Sequence, residues 1–196
     1  MLKGLTRIVI TGNPGVGKHT CARFVSKQLG NITIIDINEV IVGNTTLHAD
    51  NDVCKGIEID ITKARELLQS EIDKTKDSVI VGHLAPYVLR SSGIDLVLVL
   101  RRSPYELSKI FQQRRYSSHK MKENVSAEIL GITLYDSLRT FGKKKIAELD
   151  ATAKIPQDLA IEVISILRKK SRNQIGIVDW LALVYEKGDV QKLLEY

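Results

Sequence analysis

The sequence predicts an α/β protein built on a doubly wound parallel sheet of five strands, and three observations carry that prediction. Strand-like and helix-like segments alternate along the chain, as they must when helical crossovers connect parallel strands. The later strand-like segments, 78–82 and 95–100, are continuous apolar runs, the pattern of strands covered on both faces. The first strand passes through a glycine-rich loop directly into a helical pattern, which is the setting of a phosphate-binding loop. At 196 residues the chain suffices for one well-buried domain, and residues 1–196 read as one.

The elements follow in order. Residues 7–11, Arg-Ile-Val-Ile-Thr, form a β-branched apolar run and hence a buried strand. Beyond the loop, Cys21, Phe24, Val25 and Leu29 recur at helical spacing up to a stop at Gly30. Residues 32–36 are a second strand, after which Asn38 is placed to cap a short helix ending at Val42. The polar stretch 43–59 is too long for an ordinary connection and is expected to be functional or mobile. A helix over about 62–74 precedes the strands 78–82 and 95–100. Ser103-Pro104 opens the next helix, with proline in the first turn, and that helix reaches about Arg114. A polar break over 116–122 leads into one long helix over about 123–145. Residues 146–150 give a fifth strand, and Pro156 starts a helix to about Lys170. The tail 175–196 is amphipathic, and its Trp180 is expected to be buried.

Composition narrows the class. The apolar fraction of 43% and charged fraction of 27% are those of an ordinary globular domain. No apolar stretch approaches the roughly 20 residues of a membrane span. The first strand begins almost at the N-terminus, so no signal peptide is expected. The two cysteines, Cys21 and Cys54, lack metal spacing and point to a reducing, cytoplasmic setting. Cys21 reads as a core residue of the first helix. The net charge of +6 exceeds what a phosphate site alone would need, because Lys143-Lys144-Lys145 and Arg168-Lys169-Lys170 with Arg172 form further clusters. Solvated helix faces are the plain reading of both, with contact to rRNA as the alternative.

The chemistry is concentrated in Gly12-Asn13-Pro14-Gly15-Val16-Gly17-Lys18-His19-Thr20. Gly12, Gly15 and Gly17 allow positive φ and close approach to an anion. Successive N–H groups and the helix N-terminus then favour phosphate, and Lys18 reaches the β- and γ-phosphates. The hydroxyl residue that usually follows the lysine, and that holds Mg²⁺, is replaced by His19, with Thr20 one place later. A G-K-x-T ending of this kind is similar to that of nucleoside monophosphate kinases. Phosphoryl transfer then asks for cations at strand ends and loops. Arg101 and Arg102 follow the fourth strand, and Arg114 and Arg115 precede the polar break, from which an arginine could swing onto phosphates as a lid closes. His83 follows the third strand at its carboxyl end. The carboxylate expected there as a partner of Mg²⁺ is missing, and Asp36 and Asp60 are the possible substitutes, each equally able to cap its own element. Asp150 and Thr152 follow the fifth strand, a position that often packs on adenine; His48 and His119 carry no assigned role.

Several segments together resemble the small adenylate-kinase branch shared by archaea and eukaryotes and linked to maturation of the small ribosomal subunit. They are Thr11 to Lys18, Val79 to Leu84 with its His83, Leu98 to Arg101 with Arg114-Arg115-Tyr116, Asn124 to Glu128, and Gly176-Ile177-Val178-Asp179-Trp180. The resemblance covers nearly the whole chain. It implies a P-loop nucleoside-triphosphatase fold with a nucleoside-monophosphate-binding insert near 36–60 and a short lid near 113–123. It implies ATP on Gly12, Asn13, Gly15, Val16, Gly17, Lys18, His19 and Thr20, with Thr20 toward Mg²⁺ and Arg114 as the lid arginine. Lys18, Arg114 and His83 would be the catalytic residues, and Asp36, Asp60 and Arg101 the candidates on the acceptor side. The implied activity is transfer of phosphate from ATP to AMP, with accessory ATP hydrolysis. The implied partner is a platform ribosomal protein of the small subunit. The chain departs from the family pattern at His19, at Val81 in place of an Asp, and at Arg115 in place of a lid glycine. A chaperone that uses nucleotide only as a switch, and a kinase for another small acceptor, are the competing expectations.

Overall fold

The computed structural model describes residues 7–43, 48–49, 58–168 and 174–194. Its centre is a five-stranded sheet made of β1 (Arg7–Thr11), β2 (Thr33–Asp36), β5 (Ser78–Val81), β6 (Leu96–Arg101) and β7 (Ile146–Asp150). The strand order is β2-β5-β1-β6-β7, and every pairing is parallel. A separate two-stranded antiparallel ribbon pairs β3 (His48–Ala49) with β4 (Glu58–Ile59). The ribbon falls within the stretch 36–60; residues 44–47 and 50–57, with Cys54, lie outside the described residues, as do Lys169, Lys170 and Arg172. Among the described residues no helix is long and apolar enough to cross a membrane.

Alternate side chains of the buried strands feed two cores. Ile8, Ile10, Val79, Val81, Leu98 and Leu100 face one layer, which includes Cys21 and Val25 of α1 (Lys18–Gln28) and Leu159 and Val163 of α8 (Pro156–Leu167). Val9, Ile80, Val97 and Val99 face the other, with Ile37 and Ile41 of α2 (Ile37–Val42), Leu68 and Ile72 of α3 (Ile61–Asp73) and Val88 of α4 (Ala85–Val88). Helices on both faces and runs buried on both sides are what the apolar patterning demands. Cys21 is fully buried, and burial pushes its thiol up to about 12, as befits a core residue. The loop after β1 emerges at the carboxyl edge of the sheet, beside the carboxyl end of β5, where ligands of such folds bind.

Three local expectations need correction. The cap of α2 is Asp36, not Asn38: its carboxylate accepts from the N–H of Asn38 (2.9 Å) and Glu39 (3.4 Å). The polar break is shorter than 116–122. α5 (Pro104–Gln113) ends in a turn, and α6 (Ser118–Ile129) begins at once, capped by Ser117, whose hydroxyl accepts from Lys120 N–H (3.3 Å). The polar residues there are the exposed face of a helix. The single helix over 123–145 is instead α6, α7 (Ile132–Phe141) and a 3₁₀ turn at Lys143–Lys145. Gly131, at φ 66°, breaks it, and a β-carbon there would lie 3.6 Å from Arg101 Nη1. The tail folds as α9 (Trp180–Glu186) and α10 (Val190–Leu194), with Trp180 buried as expected.

Candidate active site

The loop geometry explains its glycines. Gly12 stands at φ 139° and Gly15 at 86°. A β-carbon on Gly12 would lie 2.4 Å from the Leu100 carbonyl oxygen, and one on Gly15 would lie 2.9 Å from Leu107. At Gly12 a side chain would collide with the β6 backbone, and at Gly15 the left-handed backbone itself favours glycine, with the Leu107 and Phe111 side chains of α5 close by. Gly17 precedes the first residue of α1, so the N–H groups of that helix's first turn open toward the loop. A cavity of about 470 Å³ lies over it, lined by Asn13, Pro14, Gly15, Lys18, His19, Asn38, His83, Arg114, Tyr116, Lys120 and Asn124. That volume is within the range of small-molecule sites.

Lys18 is only 6% exposed, and its Nζ donates to the Asn13 carbonyl (2.9 Å). Burial lowers its pKa to about 8; Glu128 and Asp36 pull it back up, and Arg114 pushes it further down. The cation is thus held in a poorly solvated place that an incoming phosphate would relieve. His19 Nε2 lies 2.8 Å from Asp36 Oδ2. Asp36 pairs in register with Val81 on the neighbouring strand, so a carboxylate does stand beside the position where one was expected, one strand away. Burial lowers the pKa of His83, and the charges of Lys18 and His19 add to this against an opposing pull from Asp36. Its imidazole is therefore neutral near pH 7, able to accept a proton or a hydrogen bond.

Arg114 ends α5 and opens onto the cavity. The next residue, Arg115, takes φ 56°. Its N–H donates to the Gln112 carbonyl, and Tyr116 N–H donates to that of Phe111, both at 3.0 Å. Tyr116 stacks on Phe111 at 5.0 Å between ring centres, and Lys120 Nζ sits 4.7 Å above the Tyr116 ring. This is a Schellman ending with its hydrophobic contact, which glycine normally completes. It aims Arg114 and Tyr116 at the phosphate loop.

The expected residues divide accordingly. Asn13, Gly15, Lys18, His19, His83 and Arg114 converge on the cavity. Gly12, Val16 and Gly17 shape the loop: Val16 is fully buried, and Gly12 touches β6. Thr20 is exposed on the first turn of α1. Asp36 reaches the site through His19. Asp60 caps α3, accepting from the N–H of Thr62 (3.0 Å) and Lys63 (3.2 Å), and these bonds hold its carboxyl below the usual range. Arg101, expected at the acceptor, points into the interior: it is 4% exposed, and Nε, Nη1 and Nη2 all donate to protein oxygens. Its neighbour Arg102 is the one near the loop, with Nη2 3.9 Å from where a Gly17 β-carbon would be. Lys120, Asn124 and Asn38 also line the cavity, although the sequence points to Asn38 only as a cap and to Asn124 only within a resemblance segment. Their spacing of four, with Lys120 and Asn124 on one face of α6, was visible only once a helix was placed over 118–129.

The site is suited to a nucleoside triphosphate: it offers a cradle that excludes side chains, a buried lysine, and cations on a lid-like turn. Among the described residues no group of three or more His, Cys, Asp or Glu could hold a metal ion by itself.

The comparisons with known proteins agree with this geometry. Residues 8–131 match the family model described as an AAA domain. A protein named "Putative adenylate kinase" from Methanococcus maripaludis is 33% identical over 179 residues, covering 89% of this chain and 94% of its own. One of the same name from Pyrococcus furiosus is 31% identical over 180 residues, covering 92% and 93%. Among solved structures, shikimate kinase from Aquifex aeolicus superposes with a TM-score of 0.54 at 17% identity, over 84% of this chain and 98% of that one. A gluconokinase from Sinorhizobium meliloti gives 0.52 at 15% identity, over 85% and 93%. These two share the fold alone. With its glycine cradle, its matched domain and relatives aligned almost end to end, the chain belongs to the family of archaeal adenylate-kinase-like proteins within the AAA-domain group.

Proposed function

We propose that this protein is a nucleoside monophosphate kinase that transfers the γ-phosphoryl group of ATP to AMP. The observation that carries this reading is the convergence of Lys18, His83 and Arg114 on one cavity above a glycine cradle. The names of its relatives support adenine nucleotides on both sides. ATP lies with its phosphates on the N–H groups of the loop, Lys18 on the β- and γ-oxygens and Arg114 folding over them from the lid at 113–123. AMP enters beside α2, below the insert at 36–60. An oxygen of its phosphate attacks the γ-phosphorus, and the bond from that phosphorus to the β-γ bridging oxygen breaks. Lys18 and Arg114 neutralise the charge gathering on the departing ADP. Neutral His83, at the carboxyl end of β5, donates its ring N–H to the acceptor phosphate and orients it. Closure excludes water, so that AMP receives the group. Mg²⁺, when bound with ATP, offsets phosphate charge; the Thr20 hydroxyl and the Asp36 carboxylate are the groups that would hold it. On the sequence resemblance, the reading extends to accessory ATP hydrolysis and to a role in small-subunit maturation beside a platform ribosomal protein.

One observation favours a second reading, a nucleotide-switched assembly factor with little transfer. Val81 leaves the end of β5 without a carboxylate, and Asp36 beside it is already engaged by His19 and by the cap of α2.

The test is a coupled assay of ADP formation from ATP and Mg²⁺, with and without AMP, on wild type and Lys18→Ala. The kinase predicts AMP-dependent ADP production in excess over enzyme, lost in the variant. Hydrolysis indifferent to AMP would move the assignment to the switch.

A further inference from the structure

Behind the loop lies a buried polar network that phosphate transfer as described does not use. Glu128 is 1% exposed and Glu148 2%. Glu128 Oε2 accepts from Asn13 Nδ2 (2.7 Å). Its Oε1 accepts from Arg101 Nε (2.8 Å), Arg102 N–H (3.1 Å) and Trp180 Nε1 (3.1 Å). Arg101 continues to Glu148 Oε1 (2.7 Å), and Glu148 Oε2 accepts from Gly176 N–H (2.6 Å) and Ile177 N–H (3.0 Å). The chain of bonds thus runs from the phosphate loop to the C-terminal segment.

Buried ion pairs of this kind are poor devices for stability alone, because apolar residues of the same volume often serve as well. What this one does is fix positions. Asn13 is held by its side chain from two sides: Glu128 takes its amide, and Thr133 Oγ1 donates to its Oδ1 (3.0 Å). Its carbonyl, in turn, accepts from Lys18 Nζ. The placement of the lysine ammonium therefore descends from Glu128 through Asn13, and the charge of Glu128 also steadies that ammonium directly.

We infer that Glu128 is a positioning residue for the phosphate-binding loop, and that residues 174–180, docked through Glu148 and Trp180, complete the support of the nucleotide site. The inference rests on reading the loop as an ATP site. The test is therefore ATP binding, read by calorimetry without AMP on the full chain, well below the melting temperature. Glu128→Gln sets an amide donor against Asn13 Nδ2 and should weaken ATP about tenfold, the effect of losing one hydrogen bond to a charged group. Trp180→Phe and Thr133→Val each remove one donor at the edge of the network and should weaken it about threefold. AMP binding should move by less than about twofold in all three, because the network touches only the ATP side. A merely structural role would lower melting temperatures and leave ATP affinity within about twofold of wild type, and that result overturns the inference. Should Glu128→Gln fail to fold, the other two variants decide by the same criterion. Wild-type protein that binds no ATP sinks both this inference and the kinase reading. Wild-type binding that is unchanged in folded variants sinks this inference alone, and binding without transfer to AMP sinks only the kinase.

Discussion

Lys18 has an unusual position: it is a buried cation whose ammonium donates to the Asn13 carbonyl, while the charges of Glu128 and Asp36 favour it from farther off. Its pKa near 8 has a consequence with a definite sign. Phosphate favours the ammonium, so ATP affinity should be full below pH 8 and fall as pH rises through it, with proton uptake on binding in the alkaline range. Calorimetry from pH 7 to pH 9.5 checks this, and Lys18→Met should remove the dependence along with most of the affinity. The same sign governs stability of the nucleotide-free protein. The pKa is lowered on folding, so the unfolded chain binds more protons between about pH 8 and 10.5, and this residue's contribution becomes less unfavourable as pH climbs through that window. Lys18→Met should accordingly stabilise the free protein at pH 7, by roughly 1–3 kcal/mol, in a urea melt. Most residues of this site were legible because the glycine spacing admits few alternatives. Arg101 was misplaced because a strand-end arginine looks the same in sequence whether it meets solvent or two buried carboxylates.

At the scale of elements, the junction of α5 and α6 is the informative one. Arg115 occupies the left-handed position of a Schellman ending, which glycine normally fills. A side chain there costs about 1 kcal/mol. Arg115→Gly should therefore raise the urea midpoint with an unchanged slope, by an increment of up to about 1 kcal/mol. A fall would mean that the arginine makes a compensating contact. The turn was read from sequence as a longer break because Ser118 to Lys122 is polar; Ser117 as a cap and Tyr116 stacked on Phe111 show it to be an exposed helical turn instead. The loss of the predicted 123–145 helix has the opposite cause. Periodicity continues across Gly131, but α6 must end for its Glu128 carbonyl to accept from Arg101 Nη2 (2.8 Å).

For the whole molecule, the loop, the lid turn and the C-terminal segment are joined through the carboxyl edge of one sheet, so nucleotide should stabilise the fold as a unit. ATP at about 100 times its dissociation constant adds roughly 2.7 kcal/mol, which for a chain of this size raises the melting temperature by about 5–10 °C. A thermal melt with ATP, with AMP alone and with Lys18→Ala checks it; the variant should show no ATP shift.

The sequence by itself determined the α/β class, the five parallel strands, the place of the phosphate loop and the identity of its lysine. These follow from local periodicity and from glycine stereochemistry, which act between residues close together in the chain. Only the tertiary structure decided which of two adjacent arginines faces the loop. It alone showed that Asp36 stands beside Val81 across a strand pair, and that Glu128 ties Asn13 to Trp180. Those facts join residues far apart in the chain, and a buried charge is assigned its partner by packing rather than by spacing.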